Sequence, residues 1–408
     1  MNKSVLQIVS FAGFAGITVA QVPTYSVEVI ATFDTSTILT GASEAGHAVG
    51  WQSDGLGTIR GYVANLENGF TLLPLTSGHQ SSAAMDVNSY GVVVGTSYEG
   101  TFPHDGGDPA YWTPDGDGSY IPGVPQQFNS LPSPLGQLKT NGGQIVGINE
   151  AGTMIGWSRY QGFQGGPTTQ FFTDAPPINV QALGFEATVR DINNNNVIVG
   201  DGRRFDLNTN TVTELGAPKP VSTVGFTSVI GYAINDSNMV VAAARRATSG
   251  NDIYLSYIHD EANGWRPLDS SDIPTRFVGF YDCNNQGDVA GTGGILFAEE
   301  NLLVQDINSL LRPEDSQWQV NLGFIDNQRR FITTAFNSTT NVNAIVMLIP
   351  IGGDCLADTN GDGMITPADF SAWVAAFNAA STSCDQNEDG VCSPADFSAW
   401  VANYNAGC

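Results

Sequence analysis

A nine-residue unit, apolar-Asn-x-x-Gly-x-x-x-Gly, recurs through most of this chain and restricts its fold more than any other feature. The clear copies are V-N-S-Y-G-V-V-V-G (87–95), I-N-E-A-G-T-M-I-G (148–156) and I-N-N-N-N-V-I-V-G (192–200). Weaker copies start at 42, 234, 283 and 325. The second position falls at 43, 88, 149, 193, 235, 284 and 326, so successive gaps are 45, 61, 44, 42, 49 and 42 residues. Each unit reads as a strand, a tight turn and a second strand, because Asn and Gly tolerate positive φ and the apolar run after them packs on both faces.

A second strand pair around a polar turn follows each unit. Examples are A-Y-W-T-P-D-G-D-G-S-Y-I (110–121), R-R-F-D-L-N-T-N-T-V-T-E-L (203–215) and L-S-Y-I-H-D-E-A-N-G-W-R-P-L (255–268). Four short strands per roughly 45 residues match a β-propeller blade. A solenoid of single-strand coils would repeat about twice as often, and helical repeats would show a 3.6-residue period that is missing here. The spacing predicts a mainly β domain over 21–350, a seven-repeat β-propeller. The strand-like Y-S-V-E-V-I-A-T-F (25–33) has no partner of its own, and N-A-I-V-M-L-I-P (343–350) has no following outer strand. Pairing these two segments would close the ring without free edges.

Charge narrows the function. The chain has a formal net charge of −25 and only three Lys, which argues against nucleic acid or an anionic membrane surface as partner. Lys3, the apolar stretch from Val5 to Val19 and the small-x-small site Thr18-Val19-Ala20 read as a signal peptide over 1–20, cleaved before Gln21. A secreted, cell-surface-associated protein without a transmembrane segment is expected. Cys355, Cys384, Cys392 and Cys408 then become disulfide candidates in an exported domain too small to rely on its core. Three connectivities are possible. Cys355–Cys408 with Cys384–Cys392 is favoured because a paired-loop module brings its ends together. Cys283 occupies a repeat position where other copies hold Ile or Val, and is expected as a buried thiol.

Residues 354–408 form a second domain, predicted to be small and all-α with paired calcium loops. They carry seven Asp and one Glu with no Lys or Arg. The run D-T-N-G-D-G-M-I-T-P-A-D-F-S-A-W-V-A-A-F-N (358–378) returns as D-Q-N-E-D-G-V-C-S-P-A-D-F-S-A-W-V-A-N-Y-N (385–405). Oxygen-bearing side chains at positions 1, 3, 5, 9 and 12, with Gly at 6, have the ligand spacing of an EF-hand calcium loop. The first site would use Asp358, Asn360, Asp362, the Met364 carbonyl, Thr366 and Asp369. The second would use Asp385, Asn387, Asp389, the Val391 carbonyl, Ser393 and Asp396. Hard oxygen donors suit Ca²⁺, two ions in all. Thr366 and Ser393 also stand where N-caps belong, before Pro367 and Pro394. The helices place Phe370, Trp373, Val374 and Phe377 on one face, and Phe397, Trp400, Val401 and Tyr404 on the other copy's face.

Two resemblances follow. The nine-residue units resemble HAF-type extracellular repeats, with their A-x-x-I-N-x-x-G-x-x-x-G signature, which implies an exported β-rich protein without a set activity. Residues 354–408 resemble a dockerin of the cysteine-bearing type ending in Gly-Cys, and Asp at loop position 12 fits that family. The resemblance implies a Ca²⁺-dependent fold that binds a cohesin domain on a scaffold or cell surface. Many dockerins carry a Ser-Thr recognition pair at loop positions 10 and 11. Here those partner-binding candidates are Pro367, Ala368, Pro394 and Ala395, and neither helix holds Lys or Arg, so a distinct cell-surface receptor is an alternative to cohesin.

Catalytic motifs are missing from the repeats: there is no Gly-x-Ser-x-Gly elbow, His-Glu-x-x-His or phosphate loop. Asp105, Asp108, Asp115 and Asp117 form an acidic stretch with the option of another calcium site. Tyr98, Trp112 and Tyr160 have the chemistry to stack on sugars, although blade cores use the same residue types. The sequence thus favours a non-catalytic propeller presenting a binding face, attached through a calcium-dependent tail. The alternatives are a dockerin-tethered polysaccharide-degrading enzyme of glycoside hydrolase type and a structural surface-layer component.

Overall fold

The computed structural model describes residues 23–100, 107–124, 139–160, 168–173, 178–185, 187–216, 218, 228–246, 253–268, 282–291, 294–298, 302–321, 323–351, 356–360, 366–379, 381–387 and 390–406. Residues 1–20, expected as a signal peptide, and Asp105, Cys355 and Cys408 lie outside them. The chain is mainly antiparallel β, with its sheets in a β-propeller arrangement. Six four-stranded meanders span 37–72, 81–123, 139–179, 189–214, 228–267 and 282–304. A five-stranded sheet accompanies them, in the order Thr24–Phe33, Val342–Ile351, Phe331–Asn337, Trp318–Val320, with Phe324–Ile325 also on Phe331–Asn337. The two ends of the repeat region meet in it, in register from Thr24 opposite Ile351 to Phe33 opposite Asn343.

The turn of every unit is built alike. Its second residue accepts, through a side-chain oxygen, the backbone N–H four residues on: Ser43 from His47, Asn88 from Val92, Asn149 from Thr153, Asn193 from Val197, Asn235 from Met239, Asn284 from Asp288 and Asp326 from Arg330. The fifth residue lies at positive φ each time, at Gly46, Gly91, Gly152, Asn196, Asn238, Gly287 and Arg329. Gly and Asn reach that region readily, and Arg does so at a cost of about 1–2 kcal/mol. Arg329 is held there by the buried Asp288 of the preceding unit, 2.8 Å from its Nε, and its guanidinium lies over the Phe297 ring.

Asn does a second job that a carboxylate, lacking a donor, cannot. Its Nδ2 donates to the carbonyl of the equivalent residue in the next unit, Asn88 to Asn149, Asn149 to Asn193, Asn193 to Asn235, Asn235 to Asn284 and Asn284 to Asp326, at 2.9–3.3 Å. Asp326 has no donor, and Arg330 Nη2 instead reaches the Glu44 carbonyl at 2.7 Å. A second row runs beside the first. Backbone N–H groups of Ser89, Glu150, Asn194, Asp236, Asn285 and Asn327 donate to the side chains of Glu150, Asn194, Asp236, Asn285, Asn327 and Glu44.

The closing glycine has a steric reason. A Cβ at Gly50, Gly95 or Gly156 would run into the carbonyl of Ile38, Ala83 or Gln144 on the neighbouring strand. That strand carries a register shift in each of these sheets, and bulges crowd the opposing backbone. Between sheets lie apolar clusters such as Val49, Val63, Val87, Val93 and Trp112. Trp112 is fully buried and donates through Nε1 to the Pro74 carbonyl at 2.8 Å, so it is a core residue and not a sugar platform.

Asn193→Ala would strip the Val197 and Asn195 amides of their acceptor and the Asn235 carbonyl of its donor. A loss of about 2–4 kcal/mol is expected, read as a lower urea midpoint with unchanged m-value.

Candidate functional site

The terminal repeat folds into two loop–helix units. Helix α1 spans Pro367–Asn378 and α2 spans Pro394–Ala406. Thr366 caps α1, accepting from the Ala368 amide, and Asp369 completes a capping box. Both position-12 carboxylates are fully buried and stitch their loops closed. Asp369 accepts from the amides of Asn360 (3.2 Å) and Thr366 (2.7 Å). Asp396 accepts from those of Gln386 (2.9 Å), Asn387 (3.2 Å) and Ser393 (2.6 Å). Burial alone would raise the Asp396 carboxyl, but the amides of Ser393, Asn387 and Gln386 outweigh it and hold the group below the usual carboxylate range. At the second loop, Asp385 accepts from the Gly390 amide at positive φ.

Two buried carboxylates in a segment without Lys or Arg fit a hard divalent cation. Asp358, Asn360, Thr366, Asp369, Asp385, Asn387, Val391, Ser393 and Asp396 are described, while Asp362, Met364 and Asp389 lie outside the described residues. Among the described residues no three His, Cys, Asp or Glu side chains are grouped to hold a metal.

The two units lock reciprocally. Trp373 Nε1 donates to the Cys384 carbonyl (3.1 Å) and Trp400 Nε1 to the Ala357 carbonyl (3.2 Å), each just ahead of the other unit's loop. Cys384 and Cys392 form a disulfide across the second loop. The expected apolar faces split. Trp373 and Trp400 are buried, but Phe370 (40%), Val374 (37%), Phe397 (43%) and Val401 (38%) remain exposed. The Phe370 and Phe397 rings lie 5.9 Å apart, so these four residues form one apolar patch shared by both helices. Pro367 and Pro394 open those helices, with Ala368 and Ala395 beside them.

A second site was not singled out in the sequence. The inner strands of the sheets line a cavity of about 430 Å³. In six sheets the register shift skips one residue, and five of those skipped, Thr40, Met85, Val146, Arg190 and Tyr232, line the cavity. The bulge turns these side chains inward. One step further along, the residues are Gly41, Asp86, Gly147, Asp191, Ala233, Asp282 and Phe324, an acid in alternate sheets. Each Asp clasps two sheets. Asp86 accepts from its own neighbour Val87 and from Ile148, Asp191 from Ile192 and Ile234, and Asp282 from Cys283 and Ile325, at 2.7–3.0 Å. Gly41 makes room, since a Cβ there would come within 2.9 Å of the Asp86 Cα.

The clasp carboxylates line the cavity. Burial pushes Asp86 up to about 8, Asp282 to about 7 and Asp191 to about 6, against the pull of the amides they accept. Asp191 and Asp282 raise Asp86, Asp191 and Glu44 raise Asp282, and Asp236 raises Asp191. At the turn end of the cavity, burial holds Glu44 at about 7, opposed by the Asn327 amide and by Arg330 and assisted by Asp326 and Glu150. Cys283 also lines the cavity and is half-buried, and burial raises its thiol well above the usual range.

Other sequence candidates disperse. Asp108 starts the strand Asp108–Pro114, 3.5 Å from His79 Nε2, while Asp115 and Asp117 lie in the exposed turn past its far end. They do not form one cluster. Tyr98 is half-buried, and burial raises its phenol.

No family model matches this chain, and no curated protein matches it. Among solved structures it is similar to an α-L-arabinofuranosidase from Podospora anserina, determined in complex with cellotriose. The identity is 10% and the TM-score 0.29, over 80% of this chain and 98% of that one. A likeness that distant has no bearing on activity.

The clasp acids have a consequence for stability. Their folded pKa values lie above the ordinary value near 4, so the folded chain holds protons that the unfolded chain releases. Their contribution is fully present below pH 4 and declines as pH rises through 6–8. Asp86→Asn, Asp191→Asn and Asp282→Asn combined keep the clasps uncharged at every pH, with one acceptor oxygen left in each. The melting temperature of wild type relative to this variant should fall between pH 5 and pH 8.5.

Proposed function

We propose that this is an exported protein whose seven sheets act as the blades of one closed, non-catalytic propeller presenting a binding face. A dockerin-like C-terminal module, folded around two Ca²⁺ ions, attaches it to a cohesin-like domain or a cell-surface receptor. The observation that carries this reading is the twinned pair Asp369 and Asp396, buried at matching stations with no basic residue in the module. The module's seven Asp and one Glu have no Lys or Arg among them, and divalent ions would offset their mutual repulsion. The patch of Phe370, Val374, Phe397 and Val401 supports a docking role, because it leaves large apolar side chains exposed on the helices that the loops hold in place.

The non-catalytic reading of the propeller rests on the cavity carboxylates. In Asp86, Asp191 and Asp282 one oxygen accepts the next residue's amide and the other an amide of the neighbouring sheet, so both oxygens are engaged in holding the wall together. The enzyme alternative needs a carboxyl pair free to reach substrate.

Calorimetry on the full mature chain should register two Ca²⁺ ions, and EDTA should reduce the helical signal at 222 nm. Asp369→Ala with Asp396→Ala should abolish uptake. Val374→Asp with Val401→Asp should keep the ions but lose capture on a cohesin column or on cells. Retention of the helical signal and of capture in EDTA would overturn the calcium-dependent tether.

A further inference from the structure

The inward-facing bulge positions are chemically lopsided. Thr40, Met85 and Val146 are small or apolar, while the next two around the cavity are Arg190 and Tyr232. The same side carries Gln144 and Trp157, which stand directly opposite each other on paired strands. Directly opposed residues have Cβ atoms about 5 Å apart on one face. Three consecutive sheets therefore contribute two aromatic rings, an amide and a guanidinium to one stretch of wall. The Arg190 charge acts on the Tyr232 phenol, which burial pushes up and Arg190 pulls down.

The guanidinium is tethered but not saturated. Its Nε lies 3.8 Å from Asp201 Oδ1, beyond hydrogen-bonding distance. Asp201 Oδ1 is itself shut off from solvent without a hydrogen-bond partner. Arg190 is 39% exposed and lines the cavity. A planar donor fork and an amide beside two aromatic rings match a molecule with an apolar face and a rim of hydroxyls. Asp201 offsets the Arg190 charge, the turn end of the cavity holds Glu44, Glu150 and Asp236, and the chain carries −25 overall. A polyanionic ligand is disfavoured by that field.

We propose that Trp157, Arg190, Tyr232 and Gln144 form a subsite for a neutral sugar ring, stacked on the aromatics with its hydroxyls on Arg190 and Gln144. This deepens, and rests on, the reading of the propeller as a non-catalytic binding module.

The test is titration calorimetry of the full mature chain with xylohexaose, mannohexaose and hexagalacturonate. At least one neutral hexasaccharide should bind. Trp157→Ala and Tyr232→Ala should each weaken it tenfold or more, and Arg190→Gln about fivefold or more. Tyr90→Ala, at an exposed tyrosine of a repeat turn, should leave affinity unchanged. Melting curves matching wild type would show that the variants remain folded. No binding of either neutral probe, preference for hexagalacturonate, or wild-type affinity in Trp157→Ala and Tyr232→Ala would each overturn the proposal. Chromatography of the titrated mixtures separates the two readings: shortened oligosaccharides would remove the non-catalytic reading, while variant-sensitive binding would still support the subsite.

Discussion

The propeller depends on what one asparagine does with both ends of its side-chain amide. The carbonyl oxygen closes the local turn by accepting the N–H four residues on. The Nδ2 group donates to the next unit. Asp can make only the first contact. Coupling the two in one buried side chain ties each turn's shape to its neighbour's position. A turn that opens therefore leaves polar groups unpaired in two sheets, which favours cooperative behaviour over piecewise fraying. Where Asp326 breaks the series, Arg330 restores the link by a longer route.

Much of this was legible in the residues. Asn and Gly at fixed offsets marked the turns, and the unpaired apolar segments at the two ends of the repeats marked the joining sheet. The cavity was harder to read. A bulge removes one residue from strict alternation, so Arg190 and Tyr232 face inward only because Val189 and Asp191, or Gly231 and Ala233, straddle a register shift. No period-two pattern exposes such a position. The alternating acids were visible two places before each turn, but their role depends on the next sheet's backbone, which sequence does not display. Trp112 was ambiguous for the opposite reason, because a buried indole with one hydrogen bond and an exposed stacking platform look alike as letters.

In the terminal module, helical periodicity placed all the large apolar residues on common faces, and the structure divides them. The indoles turn inward because each N–H finds a carbonyl at the start of the other loop. Phe370 and Phe397 have no polar atom to satisfy and remain at the rim. Two small helices cannot enclose six aromatic rings and two valines between them, so surface area sets this division more than hydrophobicity does.

The sheet that joins the two ends of the repeats also decides how force would pass through the molecule. The chain leaves Val342–Ile351 to enter the terminal module, and that strand is hydrogen-bonded on both flanks, to Thr24–Phe33 and to Phe331–Asn337. A pull applied at the Ile351 end, directed along the strand, would load it lengthwise. It strains the ladders on both sides in shear, many bonds at once, instead of peeling them singly as it would at a lone edge. Load entering there would be shared by two ladders at the junction where the architecture best resists being drawn apart.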